Sequence, residues 1–265
     1  MKIKSAKSSP EEIASIAAEN EHNYFESDFN FLKAHNGLRP GCIHVLLASS
    51  GAGKSSIIRK IALDSGKSSS VMVWLSEETR EDFICALKNS HPGDAVGEKI
   101  ILCEEVEIEK KDSHPSVILQ KFRDLILEHN PRIVILDNLT TSRMYMNLRP
   151  NEQDNVVSEI KALCKVQEIA LLVVMHTRSD FSNLRLMEDN DVRGSKTIAN
   201  LCEYLYLFQC WEKNGFIFPT IRIRKARKHR VESKIYKLIF DKGMNLYVGD
   251  ISLNFEEFKN VFGGK

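Results

Sequence analysis

HVLLASSGAGKSSIIRK, residues 44–60, carries an apolar run into a Gly-Lys-Ser triplet and then into a helical pattern. A buried strand that ends in a glycine turn and opens a helix makes a phosphate-binding loop. Glycines let the backbone approach closely, and the helix N-terminus points N–H groups and its dipole at an anion. The stretch departs from G-x-x-x-x-G-K-[ST] at one position, where Ala48 replaces the first glycine. That position falls at the strand end, where alanine costs little if φ is negative, and Gly51 and Gly53 remain. The loop assigns Ser50, Gly51, Ala52, Gly53, Lys54, Ser55 and Ser56 to a nucleotide. Lys54 would neutralise the β- and γ-phosphates and Ser55 would hold Mg2+, so ATP and Mg2+ are the implied cofactors.

Working outward, runs rich in Val, Ile and Leu recur at 42–48, 71–75, 99–103, 132–137 and 170–175. They lack the alternation of half-exposed strands, which predicts strands buried on both faces. Helical patterns lie between them: KSSIIRKIALD, REDFICALKN, PSVILQKFRDLILEHN and NEQDNVVSEIKALCKVQ. This alternation predicts an α/β fold, a mostly parallel sheet with helices on both faces. After residue 200 come successive strand patterns, EYLYLFQ, TIRIRK, KIYKLIF and NLYVG, expected as antiparallel strands extending one edge. The expected organisation is an N-terminal arm over 1–27, able to dock on a neighbouring subunit, a core over 28–250, and a short helix with a tail over 251–265.

Three buried runs end in polar residues that suit nucleotide chemistry. IVILD places Asp137 at a strand's C-terminal end, where ligands of open α/β sheets collect, as a carboxylate for Mg2+. VMVWLSEET ends in Glu77 and Glu78, either of which suits activation of water, while a solvated loop acid is the plain alternative. ALLVVM runs into His176, placed either to sense phosphate or simply satisfied within the fold.

Composition excludes other classes. The 265 residues are 43% hydrophobic and 28% charged with a net charge of +1, which argues against a globally basic nucleic-acid binder. No window approaches the ~18 uninterrupted apolar residues of a membrane span, and MKIKSAKSSPEE has no apolar stretch of a secretory signal, so a cytoplasmic protein is expected. Six cysteines without a C-x-x-C pair read as reduced core thiols. The dense basic run IRIRKARKHR, 221–230, places Lys225 and Arg227 on one side of a strand. The plain alternative is a solvated or nucleic-acid-facing strand.

Together, NGLRPGCIHVLLASSGAGKSS, VMVWLSEET, LLVVMHTRS, DVRGSKTIANLCEYLYLF and the KAR of residues 225–227 resemble the RecA-like ring ATPases, in particular the hexameric helicases of the DnaB and plasmid RepA types. The resemblance spans roughly residues 30–248. It implies a RecA-like P-loop core and an ATP-dependent DNA helicase or translocase in replication, assembled as a homo-oligomeric ring, a hexamer. It implies Lys54, Glu77, Asp137 and His176 as catalytic in one subunit, with Lys225 and Arg227 reaching the γ-phosphate held by the next. Single-stranded DNA would meet Arg193, Gly194 and Lys196, with Arg143 and Arg185 as further contacts, and a primase or loader is an implied partner. Two other readings stay open: a RecA/RadA-like recombination mediator and, because EET also resembles the KaiC-like branch, a nucleotide-dependent switch or scaffold with little motor activity.

Overall fold

The computed structural model describes residue 25 and residues 27–90, 99–105, 114–178, 185–227 and 234–262. The expected arm therefore lies outside the described residues except for Phe25 and Ser27. The apolar runs form β1 (Ile43–Ala48), β2 (Val71–Leu75), β3 (Ile100–Glu104), β4 (Ile133–Asp137) and β5 (Ala170–His176). All but β3 are buried at every position, because each has a strand on either side and helices above and below. β3 is half-exposed because it is an edge strand.

The helices are α1 (Asn30–Lys33), α2 (Lys54–Gly66), α3 (Arg80–Ser90), α4 (Pro115–His129), α5 (Pro150–Val166), α6 (Thr197–Leu201) and α7 (Phe255–Phe262). The remaining strands are β6 (Tyr204–Lys213), β7 (Phe216–Ala226), β8 (Lys234–Asp241) and β9 (Leu246–Asn254). The sheet order is β3-β2-β4-β5-β1-β6-β7-β8-β9. β1 through β5 are parallel, and β6 runs parallel to β1 before turning into the antiparallel β7, β8 and β9. The expectation of wholly antiparallel C-terminal strands is thus corrected at β6. The chain returns through α6 to the bottom of the sheet and so starts β6 in the direction of β1.

Strand alternation splits the core in two. Leu46 and Ala48 face Ile57, Ile61 and Phe83 of α2 and α3, while Val45 and Leu47 share a cluster with Phe122, Val157 and Ile198 of α4, α5 and α6. The helix after β1 thus goes to one face, and those after β3, β4 and β5 go to the other. That divergence opens a crevice at the C-terminal ends of the central strands. Segment 27–31 clasps this architecture from outside. Ser27 Oγ and the Asp28 amide donate to Asp64 of α2, and the Phe31 amide donates to Asp250 of β9 at 2.9 Å. β9 continues through residue 250 to Asn254, and α7 begins at Phe255.

Candidate nucleotide site

β1 ends at Ala48, paired with His176 of β5 and Phe208 of β6. Ala48 is not among the residues with positive φ, so the alanine sits without strain where the motif usually has glycine. Gly51 and Gly53 do adopt the left-handed region, at φ +71° and +91°. A side chain on Gly51 would meet nothing within 4 Å, whereas a Cβ on Gly53 would stand 3.1 Å from the Tyr247 ring. Gly53 caps α2 without any side-chain hydrogen bond, leaving the first amides of the helix to an anion.

Lys54 opens α2 and is 6% exposed. Its ammonium donates to Ser49 O at 2.7 Å and meets His176 Nδ1 at 3.2 Å. An ammonium has only protons to offer, so Nδ1 accepts and the remaining ring proton sits on Nε2. Nε2 then donates to Glu77 Oε1 at 2.9 Å. Asn138, wholly buried, has its amide oriented by Thr141, whose N–H and hydroxyl donate to Asn138 Oδ1. That leaves the Asn138 NH2 beside Nε2 at 3.0 Å and bonded to the Glu77 carboxylate. The His176 hydrogen bond first, with Asn138 and Lys54 assisting, holds the Glu77 carboxyl below its usual range despite partial burial. Its side chain is 43% exposed, so the acid is both ionised and open to water.

Glu78 is placed differently. It is 15% exposed and its Oε1 accepts from Arg59 Nη2 of α2, while burial pushes its carboxyl up. Asp137, at the end of β4, is 4% exposed, and burial first, then Glu77 and Glu78, push its carboxyl up to about 7. Ser76 N donates to Asp137 O at 2.8 Å, fixing the ends of β2 and β4 together. A buried carboxyl this unfavourably charged, close in the field to two other acids, fits a divalent cation. With the half-buried Ser55 hydroxyl it supplies the hard oxygen donors Mg2+ takes. No cluster of three or more His, Cys, Asp or Glu that could hold a metal ion occurs among the described residues.

No protein-family model matches this sequence, and no curated protein does. A KaiC-like protein from the hyperthermophilic archaeon Pyrococcus horikoshii OT3 has a similar solved structure, with a TM-score of 0.63, 13% identity, and coverage of 88% of this chain and 99% of that one. The fold is RecA-like. It is the mostly parallel α/β sheet with an antiparallel extension expected from the sequence.

On this RecA-like sheet the other expected site residues separate into groups. The Ser56 hydroxyl accepts from Tyr247 N at 2.8 Å, so this side chain ties α2 to β9. Lys225 and Arg227 do not approach Lys54. Lys225 pairs with Leu205 at the start of β6, next to the Tyr204 that pairs with His44, so the two cations lie at the opposite sheet end from the phosphate loop. Lys225 Nζ donates to Ala199 O at 2.8 Å and Asn200 O at 2.9 Å, and Arg227 also donates to Asn200 O. They share a side as strand spacing requires, and within the chain they cap α6. Arg143 is tied to buried Glu105 and Arg185 is bidentate on Asp191 at 2.6 and 2.8 Å, so both are engaged internally. Arg222 and Arg224 pair with Glu188, and Lys228 and Arg230 lie outside the described residues.

Arg193 and Lys196, by contrast, are exposed on a held segment. Arg193 N donates to His176 O at 2.9 Å, directly behind the ring that meets Lys54. Gly194 has φ +95°, and a Cβ there would stand 2.9 Å from Tyr145 Oη. Ser195 N donates to Tyr145 Oη and Gln153 Oε1 at 3.1 and 2.9 Å, and its hydroxyl donates to Asp154. Sequence reasoning missed Asn138, Arg59 and this Tyr145–Gln153–Asp154 clamp. Only Asn138 left a signal, as the first polar residue after a buried strand ending in an acid.

Proposed function

We propose that the chain binds ATP with Mg2+, hydrolyses it, and uses nucleotide state to set segment 191–196, acting as a nucleotide-dependent switch of the KaiC-like kind. The observation that carries this reading is the relay in which Lys54 meets one ring nitrogen of His176 while the other donates to Glu77. Lys54 and the α2 amides bind the phosphates, and Ser55 and Asp137 would hold Mg2+, which supplies charge neutralisation on the phosphate oxygens. Glu77 takes a proton from water as the water oxygen bonds to the γ-phosphorus and the bridging oxygen leaves with ADP. A phosphate at Lys54 competes with His176 for the ammonium, and the His176 main chain passes the response to Arg193. Hydrogen exchange with and without a non-hydrolysable ATP analogue tests the switch. Protection that changes at 191–196 supports it, and protection that changes only at 49–56 contradicts it.

A second reading, a ring-shaped homo-oligomer translocating on single-stranded DNA, is favoured by exposed Arg193 and Lys196 on the same responsive segment. Cations on a loop bonded to the phosphate sensor suit backbone tracking. In this reading Lys225 and Arg227 act on the neighbour's nucleotide, so Arg227→Ala keeps ATP binding and loses hydrolysis. Single-stranded DNA then stimulates turnover, and electron microscopy with ATP and DNA finds closed rings where a recombination mediator gives filaments. Turnover indifferent to DNA favours the switch.

A further inference from the structure

Two adjacent acids follow β2, and a cation from the phosphate-loop helix reaches only one of them. Arg59 lies on α2, the helix Lys54 opens, and its Nη2 donates to Glu78 Oε1. The guanidinium lies 5.6 Å from the ring centroid of buried Phe83, which covers it on the α3 side. Both side chains are withdrawn from water, at 13% and 15% exposure, whereas Glu77 is 43% exposed. The pair is imperfect: Arg59 Nε and Glu78 Oε2 are buried without a hydrogen-bond partner among the described residues. A pair that leaves two polar atoms unsatisfied is a poor device for stability alone. Glu78 directly follows Glu77 in the chain, yet Glu77 Oε1 meets His176 Nε2 while Glu78 Oε1 is held on Arg59, so the two neighbours are sorted by their partners.

We propose that Arg59 is a positioning residue that selects Glu77 as the base by holding Glu78 out of the site. The inference rests on the hydrolysis reading above. Arg59 joins the phosphate-loop helix to the β2–α3 turn, so loop and base move as one unit. Glu78 is a latent base: released from Arg59, its carboxylate accepts the water proton in place of Glu77, with the same bonds formed and broken.

The test is Mg-ATP turnover, with kcat and KM measured separately, in wild type, Glu77→Gln, Glu78→Gln, Arg59→Gln, Arg59→Lys and the double variant Glu77→Gln/Arg59→Gln. Expected results are a loss of about a hundredfold in kcat for Glu77→Gln and a change under about threefold for Glu78→Gln, the usual scale for losing or keeping a general base. Arg59→Gln lowers kcat with KM little changed, and Arg59→Lys, which keeps the charge, restores most of it. The double variant exceeds Glu77→Gln alone by about tenfold, and adding Glu78→Gln removes that gain. A purely structural Arg59 cannot make a crippled variant faster. A double variant no faster than Glu77→Gln, or a Glu78→Gln as slow as Glu77→Gln, overturns the proposal while leaving hydrolysis intact. Equal rates for wild type and Glu77→Gln overturn the hydrolysis reading instead. Thermal unfolding of each variant identifies any that fail to fold, and Arg59→Lys then carries the comparison through its own kcat and KM. If it matches wild type the proposal stands, and if it matches Glu77→Gln it falls.

Discussion

The amide of Arg193 donates to the main-chain oxygen of His176 at 2.9 Å, while the ring of the same histidine lies between Lys54 and Glu77. One residue therefore touches the Lys54 ammonium, the candidate base and the segment carrying exposed cations. Bistable behaviour of that segment needs no long pathway, since only a strand end separates cause and effect.

His176→Ala removes the orienting hydrogen bond on Glu77 and one of the contacts of the Lys54 ammonium. Steady-state kinetics are expected to show kcat lowered by about ten- to a hundredfold with KM changed far less, the pattern of a group acting on the reaction more than on binding. A large rise in KM with unchanged kcat would assign His176 to binding alone.

Gly194→Ala meets two penalties, a left-handed φ of +95° and a Cβ 2.9 Å from Tyr145 Oη, whereas Gly51→Ala meets only the backbone one. Strain of this kind costs about 1–3 kcal/mol. Chemical denaturation should therefore find Gly194→Ala less stable than Gly51→Ala. Phosphate binding should be hurt more by Gly51→Ala.

Asp137 gives a pH signature. Its folded-state carboxyl, pushed up to about 7, keeps a proton that the unfolded chain has lost above its ordinary 3.8. Stability without Mg2+ therefore falls as pH rises between these values, by on the order of 4 kcal/mol in all. Asp137→Asn has no such proton to lose, so its denaturation midpoint should be flatter across this window and higher than wild type at about pH 8. Mg-ATP should reverse the order, because only the carboxylate can hold the cation.

Much of the fold was legible because buried strands write continuous apolar runs. Residues 71–75 form β2 as expected, and the other parallel strands begin or end within a residue of the expected limits. Lys54, Glu77, Asp137 and His176 converge because each ends or follows one of those runs. Local patterning left other features hidden. Ser56 follows Ser55, but the helix turns it by about 100° toward Tyr247, a partner 191 residues away. The direction of β6 depends on where α6 returns the chain, and this also set Lys225 and Arg227 at the far sheet end. Arg143 and Arg185 read as further DNA contacts, and the fold pairs them with Glu105 and Asp191.

Everything proposed for this site depends on its binding and splitting Mg-ATP through Lys54. The most direct measurement is ATP binding by titration calorimetry together with phosphate release, for wild type and Lys54→Ala. Mg-dependent turnover is expected in wild type, and in Lys54→Ala affinity weakened by about a hundredfold, the scale of removing one partner of a buried charged contact, with no turnover. Unchanged affinity and turnover in Lys54→Ala would contradict it.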